Sequence, residues 1–235
     1  ETMCIVCTYD ETTDVSKIII LYCCSGVSVI PDTFVNLTGL SCDNTKITSI
    51  PDTFVNLRHL SCSYTKITSI PDTFVKLTHL ECDNTNITSI PDTFVVYLTE
   101  LYCSHTKITS IPDTFVNLRQ LSCSNTNITS IPDTFVKLTQ LSCDNTNITS
   151  IPDTFVNLTQ LSCDNTNITS IPDNQYNYIN TEKCKWLKRN YTTLLWNKRI
   201  RKISIIQRLW KWKKLNKKVP LCRDLREYVV KKYYI

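Results

Sequence analysis

The chain has 235 residues, enough for one domain of usual size plus an appendage, and 42% of them are hydrophobic, so a core can be built. It holds two glycines, Gly26 and Gly39, which excludes a Gly-rich phosphate loop, whose backbone must approach phosphate oxygens without side chains in the way. The net charge of +5 is the sum of two unlike regions: residues 1–173 carry 8 Lys/Arg against 18 Asp/Glu, and residues 174–235 carry 18 against 3, so two physical roles are expected.

Residues 1–29 read as an N-terminal cap and a degenerate first repeat. Glu1, Asp10, Glu11 and Asp14 stand where a secretory leader would be basic. The longest apolar run, Ile18 to Cys24, is too short to span a bilayer. The expectation is a cytoplasmic protein, not a secreted one. Cys4 and Cys7 form a C-x-x-C, a metal or redox pair in some settings, but no second pair with matching spacing follows. The nearest partners, Cys23 and Cys24, are read as part of the cap.

From Ile30 to Asp173 the chain repeats every 20 residues. Ile-Pro-Asp begins at Ile30, Ile50, Ile70, Ile90, Ile111, Ile131, Ile151 and Ile171, with a single 21-residue step where Val96-Tyr97 replaces one residue. That insertion precedes Leu98 and should bulge from the back of its coil. Within each copy, residues such as Leu161 and Cys163 alternate with Ser162 and Asp164, the period of a strand with one buried face. One such strand cannot bury that face alone. Stacked neighbours can, at about 4.8 Å per rung. Phe155, Leu158, Leu161, Cys163, Ile168 and Ile171 are the predicted inner residues of one coil, and Pro152 opens the outer segment, where a missing N–H costs nothing.

Leu158, Leu161, Cys163, Thr166 and Ile168 spell L-x-x-L-x-C-x-x-T-x-I, which resembles the leucine-rich repeat. The resemblance covers residues 18–173. The 20-residue length is similar to the short bacterial-effector type, and the Cys-, Asn- and Thr-rich wording is similar to repeat proteins of giant amoeba-infecting viruses, for which host cytoplasm would be the location. It implies an α/β-type repeat solenoid: a horseshoe of about eight parallel rungs, mostly β and irregular. Two departures stand out. Thr45, Thr65, Thr85, Thr106, Thr126, Thr146 and Thr166 replace the usual Asn, and a hydroxyl offers one donor where an amide satisfies two backbone groups, so a weaker ladder is expected. Cys42, Cys62, Cys82, Cys103, Cys123, Cys143 and Cys163 occupy an inner position, with Cys23 as a candidate first member. Buried free Cys acts as a small hydrophobe, and a linear column does not converge on a tetrahedral metal.

In such solenoids the concave face carries partners. Its outward positions are monotonous at the C-terminal end, with Gln120, Ser122 and Ser124, then Gln140, Ser142 and Asp144, then Gln160, Ser162 and Asp164. In the middle they differ: His59, Tyr64, His79, Glu81, Glu100, Tyr102 and His105 form the predicted partner-binding patch, since aromatic and charged side chains anchor interfaces. A metal site from His59, His79 and Glu81 and a hydrolase are the lesser alternatives, and no nucleophile with a positioned base is identifiable. Asp32, Asp52, Asp72, Asp92, Asp113, Asp133, Asp153 and Asp173 are expected to cap the short turns after each Pro. Seven N-x-T sequons, from Asn36 to Asn190, arise mostly from the repeat wording and are read as incidental.

Residues 174–235 form a basic, helical C-terminal cap or tail. A helix is predicted from Thr192/Thr193 to about Lys218, ended by Pro220, and a second from Leu221 to Tyr234. Its first part, to residue 200, should cover the open end of the solenoid. Lys198, Arg199, Arg201, Lys202, Arg208, Lys211, Lys213, Lys214, Lys217 and Lys218 could meet nucleic acid or an anionic membrane. Ile206-Gln207-Arg208-Leu209-Trp210-Lys211 also resembles the opening of an IQ motif for a calmodulin-like partner, though Trp212 stands where Gly is expected. The reading is a non-catalytic protein-interaction scaffold with no cofactor and no small-molecule substrate. The alternative is a protein that acts through its basic tail.

Overall fold

A computed structural model of the chain describes residues 4–10, 12–94, 97–169, 171–172 and a strand at 178–180. The helices predicted after residue 190, with every basic residue named above, lie outside the described residues.

The N-terminal cap contains a short helix, α1 (Ile5–Thr8). Nine three-residue strands follow: β1 (Ile20–Tyr22), β2 (Gly39–Ser41), β3 (His59–Ser61), β4 (His79–Glu81), β5 (Glu100–Tyr102), β6 (Gln120–Ser122), β7 (Gln140–Ser142), β8 (Gln160–Ser162) and β9 (Tyr178–Asn180). They form one parallel sheet in strict sequence order. The first eight are the predicted rungs, the degenerate first one included. The ladder continues one rung past the last full repeat, where Gln160 faces Tyr178.

Each strand is too short to hold itself, so its backbone groups bond to the neighbouring coils. The pairing carries on beyond the strands: Cys42 N–H reaches Ser61 C=O at 2.8 Å, and Asn44 N–H reaches Ser63 C=O at 3.0 Å, with equivalents in the following coils. The extra residue at Val96-Tyr97 leaves this ladder in step, because Glu81 still faces Tyr102 and Leu98 is fully buried. The insertion is absorbed before Leu98, and Tyr97 is exposed.

The predicted inner columns are buried from the coil of Phe34, Leu37, Leu40, Cys42, Ile47 and Ile50 through Ile168, while Cys23, the candidate first member of the cysteine column, is only partly buried. Full burial of each such side chain contributes about 1.5–3 kcal/mol. In the last coil Ile171 is only half-buried, where the described repeats end. At the other end Tyr9 leans on Phe34, with ring centroids 5.7 Å apart.

The seven column cysteines are buried. Burial pushes the thiols of Cys42, Cys62, Cys82 and Cys103 far up and that of Cys123 up to about 12. They are protonated, inert packing groups. The threonines act as the sequence suggested: each hydroxyl donates one bond back to the cysteine carbonyl three residues earlier, as in Thr45 to Cys42 at 2.6 Å and Thr106 to Cys103 at 2.7 Å.

Two ladders differ from expectation. The carboxylates of Asp32, Asp52, Asp72, Asp92, Asp113 and Asp133 accept no hydrogen bond among the described residues. Their main-chain carbonyls do, from a threonine one coil on, as in Thr73 to Asp52 at 2.7 Å and Thr134 to Asp113 at 2.6 Å. The turns are thus fastened coil to coil, and the charges are left in solvent. The second ladder was not foreseen. Asp43, Ser63, Asp83, Ser104, Ser124, Asp144 and Asp164 each follow the column cysteine. A side-chain oxygen of each of the first six accepts the backbone N–H of the next, at 2.6, 3.1, 2.5, 3.1, 3.0 and 2.6 Å. Ser124, Asp144 and Asp164 therefore do not simply face outward, because this position joins coil to coil. No buried side-chain nitrogen or oxygen lacks a partner among the described residues.

Asp83 tests the ladder. Burial raises its carboxyl above the ordinary value, against the opposing effect of the Ser104 N–H. A raised folded-state pKa means that ionisation is opposed by folding, so the associated stability is present at low pH and lost as pH rises through the folded value. Asp83→Asn keeps the acceptor and removes the charge, and should leave stability at pH 7 unchanged or higher. Asp83→Ala removes the acceptor and should cost about 1–2 kcal/mol. Urea unfolding of both variants checks the ordering.

Candidate binding face

Each strand from β1 to β8 buries its middle residue and turns the flanking two toward the sheet face, which is thus written by two residues per coil. From β6 to β8 those positions repeat as Gln and Ser. From β1 to β5 they run Ile20/Tyr22, Gly39/Ser41, His59/Ser61, His79/Glu81 and Glu100/Tyr102.

The side chains of this half are linked across coils. His59 stacks on His79, with ring centroids 4.6 Å apart and planes at 22°. His79 Nε2 lies 3.2 Å from Glu100 Oε1, and its Nδ1 lies 2.8 Å from the hydroxyl of Thr78, which itself donates to Arg58 C=O. The Tyr102 hydroxyl lies 2.7 Å from Gln120 Oε1 and 3.2 Å from Glu100 Oε2, so one proton serves two acceptors. Burial first, then Glu100, pushes that phenol up to about 12. Glu81 accepts from Ser61 at 3.0 Å. The His79–Glu100 pair is partly exposed and worth at most about 1 kcal/mol. Its value is in fixing side-chain positions.

Five of the seven predicted residues, His59, His79, Glu81, Glu100 and Tyr102, thus share the face. Tyr64 and His105 do not. They sit beyond their strands at the rim, in a turn where φ is +59° and +56°. Asn holds the same left-handed turn at Asn44, Asn84, Asn125, Asn145 and Asn165. A short amide tolerates that conformation, whereas a bulky side chain is strained in it. His105 has a neighbour in Asn125, at 3.2 Å, while Tyr64 is 60% exposed. His59, His79 and Glu81 are not gathered as metal ligands. Among the described residues the one converging set is Cys4, Cys7 and Cys24.

Sequence reasoning missed Ile20, Tyr22 and Gly39. Gly39 leaves a gap in a register filled by Ile, His, Glu or Gln from β1 to β8, and the gap opens a hollow of about 270 Å³ bordered by Ile20, Tyr22, Ser41, His59, His79 and Glu81. Ile20 and Tyr22 are 52% and 71% exposed. The signal was available, since Gly39 is one of two glycines and falls in strand register. A second hollow of equal volume lies over the Gln/Ser half, so chemistry and not size distinguishes the two.

A stack of 20-residue coils around one parallel sheet, with a Leu, Cys and Ile core, defines the class: a β-solenoid of leucine-rich coils. The family models described as Leucine Rich repeats (2 copies) and Leucine Rich Repeat match residues 98–136 and 56–77, so the solenoid carries leucine-rich repeats. No curated protein matches it. Among solved structures it is similar to internalin C2 of Listeria monocytogenes, with 23% identity over 72% of this chain and 82% of that one and a TM-score of 0.62. It is also similar to the functional domain of InlJ from the same organism, which includes a cysteine ladder, with 23% identity, 72% and 49% coverage and a TM-score of 0.51. A third is the plant peptide hormone receptor RGFR1, solved in complex with RGF2, with 21% identity, 65% and 29% coverage and a TM-score of 0.54. The chain thus spans less than half the length of the last two. No helix among the described residues is long and apolar enough to cross a membrane.

Two measurements check the geometry. Tyr64→Asn should raise stability by about 0.5–1 kcal/mol in urea unfolding by relieving the strained turn. Desolvation, with His79 and Arg58 nearby, lowers His59 from the ordinary 6.5. A depressed imidazole contributes stability above the unfolded value and loses it as pH falls through the folded one, so the His59 ring should titrate below 6.5 by NMR, with the stack loosening in the same window.

Proposed function

We propose that the protein is a non-catalytic scaffold that binds a protein partner on the N-terminal half of its sheet face. One observation carries this reading: the outward positions are uniform Gln and Ser over β6 to β8 and change at β1 to β5 into an apolar gap, a histidine stack and two carboxylates, while the buried columns stay the same. Exposed Ile and Tyr beside a gap, ringed by fixed polar groups, is the make-up of an interaction hot spot. The partner that fits presents an apolar side chain to the gap over Gly39 and hydrogen-bond donors to Glu81 and Glu100. The complex of RGFR1 with RGF2 supports a partner-binding use of this fold.

The test uses the full chain as bait in lysate, with and without nuclease. Gly39→Gln writes into β2 the residue that β6 to β8 already carry, and a Cβ at Gly39 meets only Ile20, at 3.5 Å, so the fold should be kept. A protein retained by the wild-type chain should be lost at least about tenfold with Gly39→Gln or His79→Ala, be indifferent to Gln140→Ala, and survive nuclease. Retention unchanged by Gly39→Gln would remove the face from consideration.

A second reading rests on the charge division. Residues 174–235 carry 18 Lys/Arg, which suits nucleic acid or an anionic membrane. Binding through them should fall steeply with salt and disappear when 198–218 are deleted.

A further inference from the structure

The cap holds a second cluster, apart from the sheet face. Cys4 is the N-cap of α1 and Cys7 lies within it, and a tight turn joins them, with Cys7 N–H donating to Cys4 C=O at 2.9 Å. Cys24, just after β1, completes a triangle: its Sγ lies 3.5 Å from Cys4 Sγ and 3.1 Å from Cys7 Sγ, and the Cys4–Cys7 edge is 3.8 Å. All three are free and partly exposed. They differ from the column cysteines, each of which faces the core alone in its coil.

Three thiols at near-equal distances are awkward for a disulfide, which would pair two and strand the third. One ion uses all three. Tetrahedral zinc at about 2.3 Å from each sulfur sets the sulfurs about 3.8 Å apart, so the Cys4–Cys7 edge already fits and the Cys7–Cys24 edge must open by about 0.7 Å. We propose that Cys4, Cys7 and Cys24 bind a single zinc ion as thiolates, with water in the fourth position.

The surroundings suit thiolate ligands. The Cys24 N–H points at Cys4 Sγ from 3.3 Å, a donor placed to stabilise sulfur charge. Cys23, next to Cys24 in the chain, is not in the triangle. Zinc is favoured over softer, two- or three-coordinate copper(I) because the site is open enough for a water ligand. Zinc would tie α1 to the end of β1.

The test uses the full chain, reduced and freed of metal. Titration with zinc against a chromophoric chelator should show one ion per chain. Cobalt(II) should give the charge-transfer bands and intense d–d absorption of a tetrahedral thiolate site. Cys7→Ser and Cys24→Ser should each lose stoichiometric zinc, while Cys123→Ser and the double variant Cys184→Ser/Cys222→Ser retain it. Zinc should also raise the Tm of the wild-type chain and not of the Cys24→Ser variant. The proposal is overturned if the reduced wild-type chain holds no zinc, if it takes copper(I) alone, or if Cys7→Ser and Cys24→Ser bind as well as wild type. Should a cap variant fail to fold, the cobalt spectrum of the wild-type chain decides alone, because an octahedral spectrum excludes the site.

Discussion

A coil whose strand is three residues long has no partner within itself for that strand's N–H and C=O groups. Unpaired and buried, each would cost about 1–3 kcal/mol, so every coil depends on its neighbour being in register. The inner columns follow from this. Leu, Cys, Phe and Ile recur at fixed places because a residue of another size would push two coils apart and break the main-chain ladder beside it. The 21-residue coil shows where the tolerance lies. Its extra residue enters before Leu98, away from the strand, and Glu81 still meets Tyr102.

The same constraint leaves the outer face free. Nothing in the backbone ladder depends on whether a strand turns Gln, His or Glu to solvent, and the substitutions gather there. Gly39, His59, His79, Glu81, Glu100 and Tyr102 sit on coils whose cores are alike. The contacts among His79, Glu100, Tyr102 and Gln120 link the side chains of the face from coil to coil. Such links lower the ordering cost of association.

Much of this was legible in the sequence because a repeat shows each rule many times. The period, the inner columns, the single bond per threonine and the shared face of His59, His79, Glu81, Glu100 and Tyr102 follow from residue type and spacing. The misses are of one kind: they concern what lies between coils. The Asp/Ser column reads as outward by alternation, yet its oxygens accept N–H groups one coil away. The Asp column after each Pro reads as turn caps, yet the carbonyls and not the carboxylates are used. Tyr64 and His105 look like strand positions when counted from Cys62 and Cys103, but the chain has by then entered a left-handed turn. The gap over Gly39 and the meeting of Cys24 with Cys4 and Cys7 are likewise contacts at a separation of about one coil. A linear reading does not place such residues side by side until the pitch of the solenoid is known.

β1 has two positions at once. It is the terminal rung, paired on one side only, and it carries Ile20 and Tyr22, one wall of the hollow over Gly39. End coils of a solenoid fray, because each is held by a single interface. If the hollow over Gly39 is occupied by a partner, opening of this end and binding would be linked equilibria, with affinity scaled by the fraction of molecules in which the first coil is closed. A ligand seated on Ile20 and Tyr22 would act as a cap for the whole ladder, and whatever holds the N-terminal segment shut would act as a remote control on affinity without touching the ligand.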